Sequence, residues 1–154
     1  MIITEKIEKR FGEIKVLKGI DLEIKEKEIV SIVGKSGAGK TTLLQILGTL
    51  LPYEKGKVII NKKDISRLNQ RQLARFRNTN IGFVFQFHHL LSEFNALENI
   101  CIPGYISGTN KSAVEDKAKD LIGLLGLSHR ADHKPSELSG GEQQRVAVAR
   151  ALIN

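Results

Sequence analysis

The chain has one cysteine and three prolines in 154 residues. It also lacks any apolar run approaching the eighteen or so residues that would span a bilayer. A single thiol, Cys101, excludes an internal disulfide and suits a reducing compartment. It sits in the apolar stretch NICIP, where a lone cysteine reads as packing. The start, MIITEKIEKRF, has no charged-then-apolar secretory pattern, so a cytoplasmic location is the default expectation. Aromatic residues make up only 5% of the chain, too few for a platform that stacks single-stranded nucleic acid. Internal repeats, low-complexity tracts and flexible linkers are also missing.

What is present is an ordinary globular composition, 41% hydrophobic and 27% charged, in a chain long enough for one domain with a core. The formal net charge is +7. Such a charge suits nucleic acid, an anionic membrane surface or a polyanionic small ligand. The basic residues are scattered, however, and the densest patch runs from Arg67 to Arg77, with Arg71 and Arg75 in it.

Strands alternate with helices along the chain, the pattern of an α/β protein. LKGIDLEI (17–24) alternates at Ile20, Leu22 and Ile24 and reads as a half-buried strand. EIVSIV (28–33) is a short β-branched run of the kind covered on both faces in a parallel sheet. LLQILGTLL suits a buried helix, punctuated by Pro52 and Gly56. KVII (57–60) and IGFVF (81–85) are further strand candidates, separated by a short basic helix near Gln70 to Arg77. The stretch after Gln86 reads as loop with short helical pieces. An amphipathic helix over 112–125 follows, with Ser112 as N-cap, Glu115 completing a capping box and Gly126 as the stop.

Between two of these segments lies GKSGAGKT, Gly34 to Thr41, which fits G-x-x-x-x-G-K-[ST]. Gly34, Gly37 and Gly39 permit tight turns and close backbone approach. The consecutive N–H groups then form an anion nest, reinforced by the positive end of the following helix. Lys40 supplies a cation for β- and γ-phosphates, the Thr41 hydroxyl suits Mg²⁺, and Thr42 can add a phosphate hydrogen bond. An apolar strand entering the loop and an apolar helix leaving it are the context this device needs. This part reads as nucleotide binding.

LSGGEQQR, Leu138 to Arg145, is a second phosphate-facing segment. Ser139-x-x-Glu142 is a capping box, and Gly140 and Gly141 leave the first-turn N–H groups open to an anion. Taken alone it reads as an ordinary capped helix.

Together, GKSGAGKT and LSGGEQQR resemble the ATP-binding subunits of ABC transporters, in which the second segment is the signature motif. The resemblance covers essentially the whole chain, in order. It implies a P-loop NTPase fold with an N-terminal antiparallel β part, a parallel core sheet and a helical subdomain carrying the signature. Residues 1–154 would then be a partial ATP-binding domain. Its first part, 1–86, holds the β part and the P-loop core. Its second, 87–154, holds the region after Gln86 and the helical subdomain.

The resemblance also assigns roles, with ATP and Mg²⁺ as the implied ligands. Phe11 would stack on adenine with Val16 at its flank. Gly34, Lys35, Ser36, Gly37, Ala38, Gly39, Lys40, Thr41 and Thr42 would hold the phosphates. Lys40 and Gln86 would act in catalysis, Thr41 and Gln86 on the Mg²⁺. Leu138, Ser139, Gly140, Gly141, Glu142 and Gln143 would face the ATP of a second subunit in a head-to-tail homodimer. Without the resemblance, Phe11 is equally a core aromatic and Gln86 an ordinary loop amide.

A narrower resemblance, carried by QFHHLLSEFNALENICIP and HRADHKPSELSGGEQQRVAVARALIN, is to the lipoprotein-releasing ATPases of bacteria. Efflux ATPases of the MacB type and cell-division ATPases of the FtsE type share much of this texture. It implies a cytoplasmic subunit, peripheral on the inner membrane, meeting transmembrane permease subunits through Gln86 to Leu91. His88 and His89, on an extended segment, would point to opposite sides and so not form a metal pair. His129 and His133 lie by Pro135 in a polar loop and are expected at the surface.

In the family the signature helix leads into the Walker B strand, whose acidic residues serve Mg²⁺ and water, and later into a switch histidine. None follows within 154 residues. The chain is therefore expected to be a piece lacking the C-terminal part of the core, with an exposed apolar edge, binding ATP but hydrolysing it poorly. Two other readings remain open at this point. One is a non-transport ABC protein acting on nucleic acid or ribosomes, although such proteins usually carry paired ATPase units or long arms. The other is a regulatory, partner-binding fragment.

Overall fold

The computed structural model describes residues 1–154, which fall into two compact units, Met1–Ala74 and Arg75–Asn154.

The first unit is built on a four-stranded antiparallel sheet in the order β2-β1-β3-β4. Its strands are β1 (Ile2–Phe11), β2 (Ile14–Ile24), β3 (Lys55–Ile60) and the two-residue β4 (Lys63–Asp64). Ile2 lies opposite both Ile24 and Ile60, so β1 is an inner strand with both edges paired. Its register shifts between Thr4 and Ile7, where Lys6 adopts φ 48° and its N–H turns to Asp21 Oδ1 at 2.8 Å. A bulge of this kind bends the strand and changes which side chains face inward.

Helix α1 (Lys40–Leu47) packs against β2. Its buried residues, Leu43, Ile46 and Leu47, follow the three- and four-residue spacing of one helical face. They join Ile7, Leu17, Val58, Ile60 and Ile65 as the buried apolar residues of this unit. Gly48 ends the helix, donating to the carbonyl of Leu44 at 2.8 Å.

The second unit is helical. Helices α3 (Ala96–Ser107), α4 (Lys111–Leu124) and α5 (Gly140–Ala151) pack against one another. Their shared core holds Ile100, Cys101, Val114, Ala118, Ile122, Leu127, Leu138, Val146 and Ile153. Cys101 is thus a packing residue, 1% exposed. Helices α3 and α4 approach so closely that a Cβ on Gly104 would lie 2.8 Å from the Val114 methyls. Helix α2 (Gln70–Asn80) precedes this bundle.

Several expectations are corrected. The strand candidates 28–33 and 81–85 pair with nothing, so the parallel core sheet is not formed and the sheet is wholly antiparallel. A strand needs a lateral partner to satisfy its backbone, and Ile29 and Val33 stand 100% and 84% exposed. The loop-like region after Gln86 contains a full twelve-residue helix, α3, started by an Asn95–Glu98 capping box. Helix α4 is capped by Asn110 rather than Ser112, through the Ala113 N–H. Glu115 instead accepts from the Tyr105 hydroxyl at 3.1 Å. The two compact units meet in the chain between Ala74 and Arg75. The segment 81–85 belongs with the helices because Gly82 lies against the Ala151 carbonyl, leaving no room for a side chain.

Candidate functional site

The phosphate loop closes on itself through Lys40. The Ala38 N–H donates to the Lys35 carbonyl at 3.2 Å, making a tight turn at the loop's apex. The Lys40 ammonium donates to the carbonyls of Gly34 (2.8 Å) and Lys35 (2.7 Å), spanning the loop from its helical end to its entrance. That holds the cation beside the backbone N–H groups that would receive an anion.

Gly39 joins this loop to α1. It caps the helix in the left-handed region at φ 89°, and its carbonyl accepts the first helical hydrogen bond from the Leu43 N–H at 2.9 Å. No side chain caps this end, and its first turn carries no acidic residue. The uncompensated N–H groups and the helix dipole therefore favour an anion here.

A cavity of about 340 Å³ opens in front of the loop, lined by Phe11, Val16, Ser36, Gly37, Ala38, Gly39, Lys40, Thr41 and Thr42. It has an apolar wall from the sheet and a polar wall from the loop. Phe11, the last residue of β1, is 49% exposed, which excludes the core-aromatic reading. The Lys9 ammonium sits 5.3 Å from its ring centroid and is itself fixed by Glu54 at 2.8 Å. For Mg²⁺, which characteristically takes one or two protein oxygens beside phosphates and water, the exposed Thr41 hydroxyl is a fitting ligand.

The signature segment is built on the start of α5. Ser139 is the N-cap: its N–H donates to Glu142 Oε2 at 2.7 Å, and its hydroxyl accepts from the Glu142 N–H at 3.3 Å. Gln143 turns back to donate to the carbonyls of Pro135 (2.9 Å) and Leu138 (3.1 Å), fixing the turn before the helix. Leu138 is buried in the helical core and anchors the segment. Ser139, Gly140 and Gly141 remain exposed, with no atom within 4 Å of a Cβ built on Gly140. The six residues thus divide between three that build the segment (Leu138, Glu142, Gln143) and three that present it.

Glu142 is held ionised by this cap. The Ser139 N–H, helped by the Ser139 hydroxyl and by Arg130 at 3.1 Å, lowers its pKa from 4.5 to about 2. A carboxylate with a depressed folded pKa contributes stability that is complete above its unfolded value and lost as pH falls through the folded one. Its share is therefore present above pH 4.5 and disappears toward pH 2. Glu142→Gln is expected to flatten the acid limb of the thermal midpoint across that window. A midpoint profile parallel to wild type would contradict this.

Gln86 belongs to the second unit and stands exposed in a turn, where the His88 N–H donates to the Phe85 carbonyl at 3.2 Å. Phe87 beside it is 76% exposed. The histidine pair that follows is not extended: His88 and His89 lie at φ 46° and 48°. Their side-chain directions are set by this left-handed bend, contrary to the alternation expected of an extended segment. Sequence reasoning also passed over Arg150, which reaches the carbonyls of both histidines. Nothing in its local sequence marks it out.

A sequence model described as "ABC transporter" matches residues 17–154. The chain belongs to the ABC transporter family. Within it, the chain is 60% identical, over its whole length and 71% of the relative's, to the lipoprotein-releasing system ATP-binding protein LolD of Bacteroides thetaiotaomicron. It is 58% identical to the protein of the same name from Bacteroides fragilis, again over all of this chain and 71% of the relative. The fold superposes on a dimeric bacterial ABC transporter cassette, MJ0796, with a TM-score of 0.90 and 40% identity, over all of this chain and 70% of that one. A post-hydrolysis structure of the same cassette, bound to ADP and Pi, matches equally well at TM-score 0.90 and 39% identity. The ABC assignment makes this an ATP-binding ATPase domain of a transporter, with an N-terminal antiparallel β part and a helical part that carries the signature. No helix of this chain is long and apolar enough to cross a membrane.

Proposed function

We propose that the chain is the ATP-binding part of a bacterial lipoprotein-releasing transporter, cytoplasmic and peripheral on the inner membrane. The observation that carries the nucleotide part is the single cavity joining Phe11 and Val16 to the loop 36–42. Adenine stacks on the exposed Phe11 ring with Val16 beside it. The phosphates lie on the loop N–H groups, where Lys40 offsets their charge and the helix α1 dipole adds to it. Magnesium would be held by the Thr41 hydroxyl and would neutralise phosphate charge. The lipoprotein cargo is supported by whole-chain identity of 56–60% to three LolD proteins.

The signature residues act on a second subunit. Ser139, Gly140 and Gly141 form an open anion seat that this chain's own N-cap pair keeps rigid. In a head-to-tail homodimer, supported by the dimeric cassettes of like fold, that seat receives the γ-phosphate of the partner's ATP. Gln86 and the Phe87 to Leu91 stretch, with Phe87, His89 and Leu91 exposed, meet the permease. Nucleic acid is not among the partners proposed.

Lys40→Ala tests the nucleotide reading. ATP affinity measured by titration calorimetry is expected to fall by about tenfold or more, since one ionic hydrogen-bonding partner contributes roughly 1.5–3 kcal/mol. Unchanged affinity would remove Lys40 from the site. For the cargo, the assembled transporter should show ATPase activity that rises with added lipoprotein. Stimulation by an efflux substrate alone would favour the MacB-type reading.

A further inference from the structure

The carboxyl end of α5 holds the segment that carries Gln86. Arg150 Nη1 donates to the His89 carbonyl at 2.7 Å and Nη2 to the His88 carbonyl at 2.6 Å. One planar guanidinium can take two successive carbonyls only if both face the same way, whereas an extended chain turns them alternately aside. The left-handed conformations of His88 and His89 produce that alignment. Left-handed backbone is unfavourable for residues with a Cβ, so this bend needs an external hold, and the arginine fork supplies it. The His89 ring packs edge-on against Phe85 at 5.2 Å, and Phe85 stacks on Phe83 at 5.4 Å, which stiffens the approach to the turn.

A second tie lies one residue along. The backbone at Gly82 rests against the Ala151 carbonyl, with no space for a methyl group between them. The segment 82–89 is therefore hydrogen-bonded to the last turn of α5 at one end and packed closely against it at the other. Gln86 and Phe87 project between these fastenings in an exposed turn. At the other end of the same helix, twelve residues long and so about 18 Å away, stands Ser139.

We infer that Arg150 is a positioning residue that couples the Gln86–Phe87 turn to the signature helix. Displacement of the turn by a membrane subunit is carried through the fork to α5, and hence to the seat offered to the partner's ATP. This rests on the proposed roles of the turn and of Ser139.

The test uses Arg150→Met and Arg150→Lys in the full-length subunit, assembled with its membrane partners. For Arg150→Met, amide hydrogen exchange at 86–91 is expected to accelerate at least tenfold, with α3 and α4 still protected. The KM for ATP should stay within twofold, while kcat in the presence of the membrane subunits falls about tenfold. Arg150→Lys keeps the charge without the fork and should recover only part of both effects. Unchanged exchange at 86–91 would overturn the inference, as would loss of protection spread evenly over α3 to α5. If the wild-type chain shows no response to membrane subunits, the functional reading fails, and the exchange result still decides whether Arg150 holds the turn.

Discussion

Gly39→Val is expected to abolish measurable nucleotide binding and to destabilise the β-sheet unit. Gly39 sits at φ 89°, and a Cβ there would lie 2.9 Å from Leu17 Cδ2 and 3.0 Å from Val16 Cγ1. Leu17 is only 3% exposed, so its methyl must shift within a packed core. A β-carbon in the left-handed region costs about 1–2 kcal/mol. Overpacking against a filled neighbour adds about 1–3 kcal/mol. Alanine alone should therefore lower stability by roughly 2–5 kcal/mol, and valine by more. The strain falls where the loop, α1 and the sheet wall of the cavity meet, so relaxation separates Val16 from the phosphate N–H groups. ATP affinity should drop at least a hundredfold, about 2.7 kcal/mol. Gly37→Ala is the control, since φ is also positive (76°) but no atom lies within 4 Å of its Cβ. It should cost binding less. Affinity within threefold of wild type for Gly39→Val, by calorimetry, would refute this account of the loop.

The loop and the signature were legible because their signals are local. Glycine spacing, one lysine and a Ser-x-x-Glu box act within a few residues of themselves, and the structure shows the cap bonds between Ser139 and Glu142. Gly126, expected to stop α4, does lie just beyond it at φ 70°. What was not legible depends on distant partners. Helix α3 is packed by both α4 and α5, so its apolar residues surround it and leave no one-faced stripe, and Pro103 within it reads as a breaker. Strand β1 hides behind charges such as Lys9, which is buried against Glu54, and behind bulges that interrupt a period of two. EIVSIV and IGFVF show the converse. Their β-branched composition marks a preference for extended backbone, but composition cannot supply the neighbouring strand. The fork of Arg150 was beyond reach for the same reason, because its acceptors lie 61 and 62 residues away.

Asn99→Leu is expected to be the most destabilising change in the helical unit. Asn99 is fully buried, and every polar atom of its side chain is used. Its Oδ1 accepts the Leu91 N–H at 2.8 Å. Its Nδ2 group lies 3.0 Å from each of the carbonyls of Leu91, Phe94 and Asn95. A single amide thus closes the turn 91–95 onto α3, standing in for backbone bonds that an irregular loop cannot make to itself. Leucine keeps the branched shape and is bulkier than the amide, so none of the effect comes from a cavity. The loss comes from leaving the Leu91 N–H and the Phe94 carbonyl without a partner, at about 1–3 kcal/mol for each group, while the Leu91 carbonyl keeps the Phe94 N–H. Water will reach part of the opened turn, so a net loss of roughly 2–4 kcal/mol is expected, a large share of a domain's stability of about 5–15 kcal/mol. Asn99→Asp separates packing from hydrogen bonding: it keeps the acceptor, removes both donors and places a charge where there is no counter-ion among the four bonded partners. It should be no better tolerated than leucine. Urea unfolding followed by far-ultraviolet circular dichroism measures both variants. A midpoint shift worth less than about 1 kcal/mol for Asn99→Leu would mean the turn is held by something other than this amide. The turn runs directly on from the His88–His89 bend, so its opening should also loosen Phe87 and weaken capture of the membrane subunits before the unit as a whole unfolds.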